Sequence, residues 1–181
     1  MEQIILLLKN TDLKSVMWVI PALFMLHELE EWNIMDWYKN TYKNPPSSTH
    51  LSCRIWLCLM CVLGFTVTAI SYIIPNNTVS ACVIMVLVVF TTFNGFQHIY
   101  WTVAFKKYAP GVIFSSLGII AGIAITIAAV SQGIVHIAFV AVLYAITVPF
   151  MIETFKAKNS LIKSFKYLHA FTLKIVAFLE A

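Results

Sequence analysis

Residues 79–105 read VSACVIMVLVVFTTFNGFQHIYWTVAF, a stretch without a single Asp, Glu, Lys or Arg. About 20 apolar residues in a helix are enough to cross the hydrocarbon core of a bilayer, so this stretch predicts a transmembrane helix. The whole chain agrees, because 60% of its 181 residues are hydrophobic and 11% are charged, whereas roughly a quarter are charged in a soluble domain. We therefore expect an integral membrane protein. Its net charge of +4 does not indicate a nucleic-acid partner, since most lysines lie between or after apolar runs.

Four further apolar stretches predict a multi-pass layout. Together with the first, the predicted spans are about Val16–Tyr38, Ile55–Ile74, Val79–Phe105, Gly111–Val130 and Ile134–Phe155. The fourth span is rich in Gly, Ala and Ser, which allow helices to approach closely. It could therefore supply the interface of a homodimer.

The two ends of the chain differ from the spans. The apolar segment Ile4–Leu8 is too short to cross a bilayer and predicts a short interfacial segment. Between Leu161 and Leu179, apolar residues recur at helical spacing while lysines fall on other faces, which is typical of a helix in the membrane interface. A partner-binding helix is the alternative. We expect an all-α, polytopic membrane helix bundle of about five transmembrane helices plus a C-terminal amphipathic helix. Residues 1–158 form the expected transmembrane domain, and residues 159–181 form the cytoplasmic interfacial helix.

The positive charges predict an orientation. They flank the first and third connections and follow the last span, whereas the connections near Asn76 and Gln132 carry no charge. The positive-inside rule then places the N-terminus outside and the C-terminus in the cytoplasm, although Lys9 and Lys14 argue weakly against this. The cell (plasma) membrane is the expected location.

The first span carries polar residues that hydrocarbon tolerates poorly. It contains His27-Glu28-Leu29-Glu30-Glu31, and a charge at the centre of a span costs about 2.5–3.5 kcal/mol on insertion scales. At about 100° per residue, His27, Glu30 and Glu31 share one helix face, whereas Glu28 points off to the side by about 100°. Three polar groups on one face predict a site.

The third span supplies a partner for this face. Asn94 and His98 are four residues apart and also share one face of a helix. His27 and Asn94 each lie twelve residues before the lysine that follows their span, and Glu31 and His98 each lie eight residues before it. Both helices run in the same direction, so the two pairs lie at matched depths, roughly 12–18 Å from those lysines. We therefore expect the two faces to meet.

The predicted cluster suits a metal ion. Two imidazoles, one or two carboxylates and an amide oxygen are ligands for Zn, Fe or Mn, here His27, Glu31, Asn94 and His98. Without a metal, Glu31 or Glu30 beside a histidine would be a general acid/base pair. The alternative is a set of hydrogen bonds across the bundle that only fixes its packing. Five polar groups at matched depth favour a functional site.

Several other residues are weaker candidates. Gln97 and Tyr100 flank His98 and could orient its ring from the second layer of contacts. Glu153 could snorkel to the surface or complete the site from below. Tyr108 precedes a Pro-Gly turn and could cap or gate the site, although a turn is the simpler interpretation. His169 is expected at the surface.

Three of these elements, taken together, resemble a known family. His27–Glu31 resembles the HXXEE signature, Asn94–His98 its NxxxH partner, and Tyr108–Gly111 its YxPG turn. The resemblance covers residues 27–111 and agrees with the five-span layout. It names no reaction, and it implies a shared site at five residues: His27, Glu30, Glu31, Asn94 and His98.

A looser resemblance links the paired glutamates to the glutamate-type CAAX-processing membrane endopeptidases. These enzymes also combine adjacent glutamates with a histidine from another spanning helix. They carry an arginine four positions after the glutamate pair, where this chain has Met35. The resemblance therefore supports a class of mechanism and nothing narrower.

Two classes of function follow. The first is an intramembrane metal-dependent or Glu/His acid–base enzyme, most simply a hydrolase that acts on a lipid-soluble substrate entering from the membrane lipids. The second is a non-enzymatic membrane protein, either a proton-coupled carrier or a small accessory or immunity protein, in which the buried cluster holds a proton or an ion.

Overall fold

The computed structural model describes residues 8–158 and 160–180, and these residues are helical without regular strands. The all-α class expected from the sequence is confirmed. The predicted interfacial segment Ile4–Leu8 lies outside the described residues except for Leu8, as does Asn159 at the predicted domain boundary. The helices are α1 (Leu13–Val16), α2 (Val19–Glu30), α3 (Ile34–Thr41), α4 (His50–Ile73), α5 (Asn77–Phe105), α6 (Val112–Ser131), α7 (Ile137–Ala157) and α8 (Lys163–Leu179).

Helices α4 to α7 are each long and apolar enough to span a membrane. They correspond to the second to fifth predicted spans, and the protein is a multi-pass membrane helix bundle. Helix α4 begins earlier than predicted because Thr49 and Ser52 form a reciprocal cap. The backbone N–H of Ser52 donates to Thr49 Oγ1 at 3.1 Å, and that of Thr49 donates to Ser52 Oγ at 2.9 Å.

The first predicted span, Val16–Tyr38, is divided rather than continuous. Helix α2 ends at Glu30, a turn follows over residues 31–33, and α3 resumes at Ile34. The backbone N–H of Ile34 donates to the carbonyl of Glu31 at 2.7 Å, which closes this turn. The guanidinium of Arg54 on α4 donates to the Asn33 side chain at 3.0 Å. Contacts with α4 therefore hold a break that the apolar pattern alone does not indicate.

Helix α5 lies at the centre of the bundle and packs against α4, α6 and α7. A Cβ at Gly95 would lie 2.8 Å from the side chain of Ile119, and one at Gly122 would lie 2.9 Å from Thr92 Oγ1. These glycines let α5 and α6 approach closely inside one chain. The small residues of α6 are thus used within the bundle in part, and the homodimer stays a prediction.

Helix α8 packs against α4. Its residues His169, Thr172 and Val176 are buried, whereas Tyr167 and Phe178 are exposed. The buried face attaches the tail to the bundle, and exposed aromatic residues suit a position in the membrane interface. The division of the chain into two parts near residue 158 stays a prediction.

Candidate functional site

The polar residues of α2 and α5 meet in the interior of the bundle. His27, Glu31 and His98 are 1%, 8% and 2% exposed. Glu31 Oε1 lies 3.1 Å from His98 Nε2, and the ring centroids of His27 and His98 are 4.7 Å apart. One potential ligand atom from each of the three residues lies within 4.8 Å of the others. The structure thus brings together three of the four predicted metal ligands at distances that one ion could bridge.

The turn before α6 fixes the orientation of His27. The Nδ1–H group of His27 donates to the carbonyl oxygen of Gly111 at 2.9 Å, which leaves Nε2 as the unprotonated nitrogen of the neutral ring. Gly111 has a φ of 92°, and a Cβ there would lie 2.6 Å from His27 Nδ1 and 3.0 Å from His98 Cε1. Only glycine fits this position, because both the backbone conformation and the space exclude a side chain.

Glu30, predicted as a second catalytic residue, points towards the first turn of α6. Its carboxylate accepts hydrogen bonds from the backbone N–H groups of Ile113 at 3.2 Å and Phe114 at 3.1 Å, in the first turn of α6. The hydroxyl of Tyr108 also donates to it. A carboxylate stabilises the N-terminus of a helix through these free N–H groups and the helix dipole. This geometry gives Glu30 the role of holding α6, and with it Gly111, against α2.

Glu28 is the site residue that sequence reasoning set aside. It is buried, with 4% exposure, and its Oε1 lies 4.0 Å from His27 Nε2. Helix α2 is enclosed by α4, α5 and α6, so more than one of its faces contacts protein. An argument that considers a single buried face of the helix therefore overlooks Glu28. The cost of placing any carboxylate in an apolar run was the signal that could have retained Glu28.

A cavity of about 40 Å³ adjoins the cluster. Its polar lining comes from Glu28, Glu31, Asn94, Gln97, His98 and His169. Within the described chain, His27 Nε2, Glu28 Oε2 and Asn94 Oδ1 are buried and have no hydrogen-bond partner. Each buried polar group left unpaired costs about 1–3 kcal/mol, and a site for water or an ion needs about 10–15 Å³. The cavity is therefore large enough, and polar enough, to hold a water molecule or a cation.

The comparisons with known proteins agree with this arrangement of motifs. Residues 18–126 match the family described as "Protein of unknown function with HXXEE motif". The chain belongs to this family. No curated protein and no solved structure matches the chain. The HXXEE match runs from the start of α2 into α6 and thus includes the helices and the turn that build the cluster.

The remaining predicted site residues differ in how close they lie to the cluster of His27, Glu31 and His98. Gln97 lines the cavity, and its Nε2 donates to Thr154 Oγ1 on α7 at 3.0 Å. Tyr100 packs its ring against α7, and Glu153 is exposed. Neither lines the cavity. Tyr108 is exposed at the turn, where partial burial and its hydrogen bond to Glu30 raise the pKa of Tyr108 to about 12.

His169 on α8, expected at the surface, is buried and lines the same cavity. Its Nδ1 lies 2.6 Å from Ser48 Oγ, and burial lowers the pKa of His169 to about 4. His169 stands at helical spacing from Phe165, Thr172 and Val176. That spacing places it on the packed face of α8 and was the signal available in the sequence.

Proposed function

We propose that the protein is an intramembrane metal-dependent hydrolase that acts on a lipid-soluble substrate. The observation that carries the proposal is the buried triplet of His27, Glu31 and His98, whose ligand atoms lie within 4.8 Å of one another. Ionisable residues inside a membrane bundle usually mark a functional pathway or site. Here they converge on one point from α2, the turn that follows it and α5.

The donor set fits a divalent ion such as Zn, Fe or Mn. Bonds from Zn to histidine nitrogen or carboxylate oxygen are about 2.0–2.2 Å long, so two ligand atoms on one ion are at most about 4.4 Å apart. The ligand atoms of the triplet, at no more than 4.8 Å, reach that spacing with small side-chain movements. The hydrogen bond from His27 to Gly111 is the kind of contact that orients metal-binding histidines. Asn94, whose Oδ1 has no partner among the described residues, is a further candidate ligand.

The chemistry divides between the ion and the protein. A bound ion would supply a Lewis acid that makes water nucleophilic at neutral pH. Glu31 already faces His98, so we assign it to holding the ion. We assign the general base to Glu28, whose Oε2 is unpartnered in the described chain. Glu28 would accept the proton of the attacking water and return it to the leaving group.

The surroundings of the cluster support a lipid-soluble substrate. A groove of about 200 Å³ between α2, α4 and α5 is lined by apolar residues and Gly64. Met60 and Phe90 line both this groove and the cluster cavity. Leu63 and Val86, on the groove, are exposed on the outer surface of the bundle, where α4 and α5 would meet lipid. A substrate chain in the groove would place its polar end beside the cluster.

A non-enzymatic role is the second candidate, and one observation favours it. Glu28 and Glu31 are both buried, Glu28 beside His27 and Glu31 beside His98, and such a group can hold and release a proton without turning over a substrate. A proton-coupled carrier or a small accessory protein would use the cluster in this way. Uptake into vesicles that depends on Glu31, with no product formed, would support this role over the hydrolase.

We also propose that the protein resides in the plasma membrane. The ends of the spans that are followed by lysines face the cytoplasm in this proposal, in keeping with the positive-inside rule. Labelling of epitope tags at the two termini in intact cells tests this. The C-terminal tag should react only after the cells are permeabilised.

Metal analysis of the purified protein tests the proposed function. Wild type should carry one divalent ion per chain, and the His98→Ala variant should lose it. His50→Ala is the matched control, because His50 is a half-exposed histidine that pairs with Asp36. An equal metal content in all three proteins rejects the metal centre. Incubation with a mixture of lipid esters and amides, followed by mass spectrometry, then tests the reaction. A metal-bound wild type that forms no product rejects the hydrolase.

A further inference from the structure

His169 connects the cluster to a second cavity. This outer cavity, of about 330 Å³, lies between the loop of residues 44–48 and helix α8. Among the described residues that line it, His169 is the one that also lines the cluster cavity. The outer cavity has polar walls at Asn44 and Ser48 and belongs to the end of the bundle where lysines follow the spans. His169 therefore stands between the cluster and an aqueous surface.

The apolar walls of the cluster cavity are unsuited to the passage of an ion. They include Trp56, Met60, Phe90 and Trp101, which offer a cation no oxygen or nitrogen lone pair. Taking a charge out of water into apolar surroundings without ligands is very costly. An ion on its way to the cluster needs polar atoms at short intervals, and within the described chain the boundary at His169 supplies them.

Three atoms that could bind a metal ion lie close together at this boundary. Ser48 Oγ lies 2.6 Å from His169 Nδ1, and Cys53 Sγ lies 4.0 Å from the same nitrogen. All three side chains are buried. Imidazole nitrogen, thiol sulfur and hydroxyl oxygen are all atoms that bind divalent metals. They come from the 44–48 loop, α4 and α8, so packing of the C-terminal helix assembles the group.

We propose that Ser48, Cys53 and His169 form a transfer site through which a divalent metal ion passes from the outer cavity to the cluster. This inference rests on the proposed metal centre and adds its access path. His169 acts as a transient ligand on the path through its Nε2, and Ser48 holds the ring in place through its hydrogen bond with Nδ1. The C-terminal helix is thereby part of the metal site as well as a membrane-associated tail.

The charges around His169 bear on this role. Burial lowers its pKa to about 4, so the ring is neutral near pH 7 and has a lone pair for a metal. Tyr38 packs its ring at 6.0 Å from the imidazole, and Glu28 and Glu31 line the cluster cavity beyond it. These carboxylates attract a cation inward. Lys166 also lines the outer cavity, and its positive charge opposes the approach of a cation.

The test separates the rate of metal loading from the amount of metal bound. The full-length protein is stripped with a chelator in detergent and mixed with Co²⁺, and the visible absorption of bound Co²⁺ is followed in a stopped-flow instrument. His169→Leu should load at least about tenfold more slowly, the factor that corresponds to about 1.4 kcal/mol in a barrier. Its final Co²⁺ content and spectrum should equal those of wild type. Lys166→Ala should load faster than wild type at low ionic strength, because a repulsive charge is removed.

His50→Leu is the matched control and should load at the wild-type rate. Loading of His169→Leu at the wild-type rate overturns the access path while leaving the metal centre intact. A lower final Co²⁺ content in His169→Leu also overturns it, because His169 would then be needed for binding itself. Should His169→Leu not fold, Lys166→Ala decides, since an unchanged loading rate at low salt contradicts a path through the outer cavity. Failure of wild type to bind Co²⁺ at all rejects the metal centre and the path together.

Discussion

Gly111→Ala should disable the cluster without changing any of its ligands. The added Cβ would lie 2.6 Å from His27 Nδ1 and 3.0 Å from His98 Cε1. It also stands on a residue with φ of 92°. The methyl group would displace both rings and lengthen the 2.9 Å bond from His27 to the Gly111 carbonyl.

The expected effect has two parts that can be measured separately. Placing a non-glycine residue in the left-handed region costs about 1–2 kcal/mol of stability. Disturbing a contact that orients a metal-binding histidine costs about 10–100-fold in metal affinity, and here two rings are displaced at once. We expect a loss of Co²⁺ or Zn²⁺ affinity at the upper end of that range or beyond it. Competition with a coloured chelator measures the affinity, and thermal unfolding in detergent measures the stability.

Two other glycines provide matched controls. Gly133 also has a positive φ, of 69°, but a Cβ there meets nothing within 4 Å. Gly133→Ala should therefore show the backbone cost and keep its metal affinity. Gly118 lies inside α6 with open space around it, and Gly118→Ala should be neutral or stabilising by up to about 1 kcal/mol. If Gly111→Ala binds metal as tightly as Gly133→Ala, the orientation of His27 by this turn is refuted.

Three further predictions concern the residues around the cluster. Glu30→Gln should lower the free energy of unfolding by about 1 kcal/mol, the usual contribution of a helix cap. The variant should retain its bound metal in metal analysis, because Glu30 accepts hydrogen bonds from α6 and is not a ligand of the ion. For Tyr108, the folded pKa of about 12 lies above the usual tyrosine pKa of 10.0, so its contribution to stability is complete below pH 10 and disappears as the pH rises to 12. Thermal unfolding should show that loss in wild type and not in Tyr108→Phe. For His169, the folded pKa of about 4 lies below the usual histidine pKa of 6.5, so the unfolded chain binds the extra proton between these two pH values. Acidification from pH 6.5 to 4 should destabilise wild type more than His169→Gln in the same assay.

The spans could be predicted because the bilayer sets a simple requirement. Helices α4 to α7 are long apolar runs closed by polar or turn residues, and length and hydropathy suffice to find them. The break at residues 31–33 could not be found in this way. Its Asn33 side chain accepts a hydrogen bond from Arg54, which is 21 residues away in the chain, and apolar residues continue on both sides of the turn. Local propensity contains no information about such a partner.

The cluster was predictable in part for a similar reason. Depth along two helices that run in the same direction can be counted from the lysines, and this pairs Glu31 with His98, which lie 3.1 Å apart. The rotation of each helix within the bundle cannot be counted. The rotation of α2 in the structure places Glu28 beside the cavity and directs Glu30 towards the first turn of α6. His169 follows from the packing of α8 on α4, a contact between distant parts of the chain that periodicity indicates only as a buried face.

The divided helix gives the two adjacent glutamates of the HXXEE motif different roles. On a continuous helix, Glu30 and Glu31 would point about 100° apart, and both would have to be accommodated near one depth of the membrane. Because α2 ends at Glu30, Glu31 sits on the turn and can face His98 while Glu30 reaches the free N–H groups of α6. One carboxylate thus belongs to the cluster and the other fixes the helix whose first turn carries Gly111. Gly111 in turn orients His27. The histidine and the two glutamates of the motif are therefore linked to one another through their contacts with Gly111, His98 and the first turn of α6. The motif therefore encodes the cluster together with the structure that holds it.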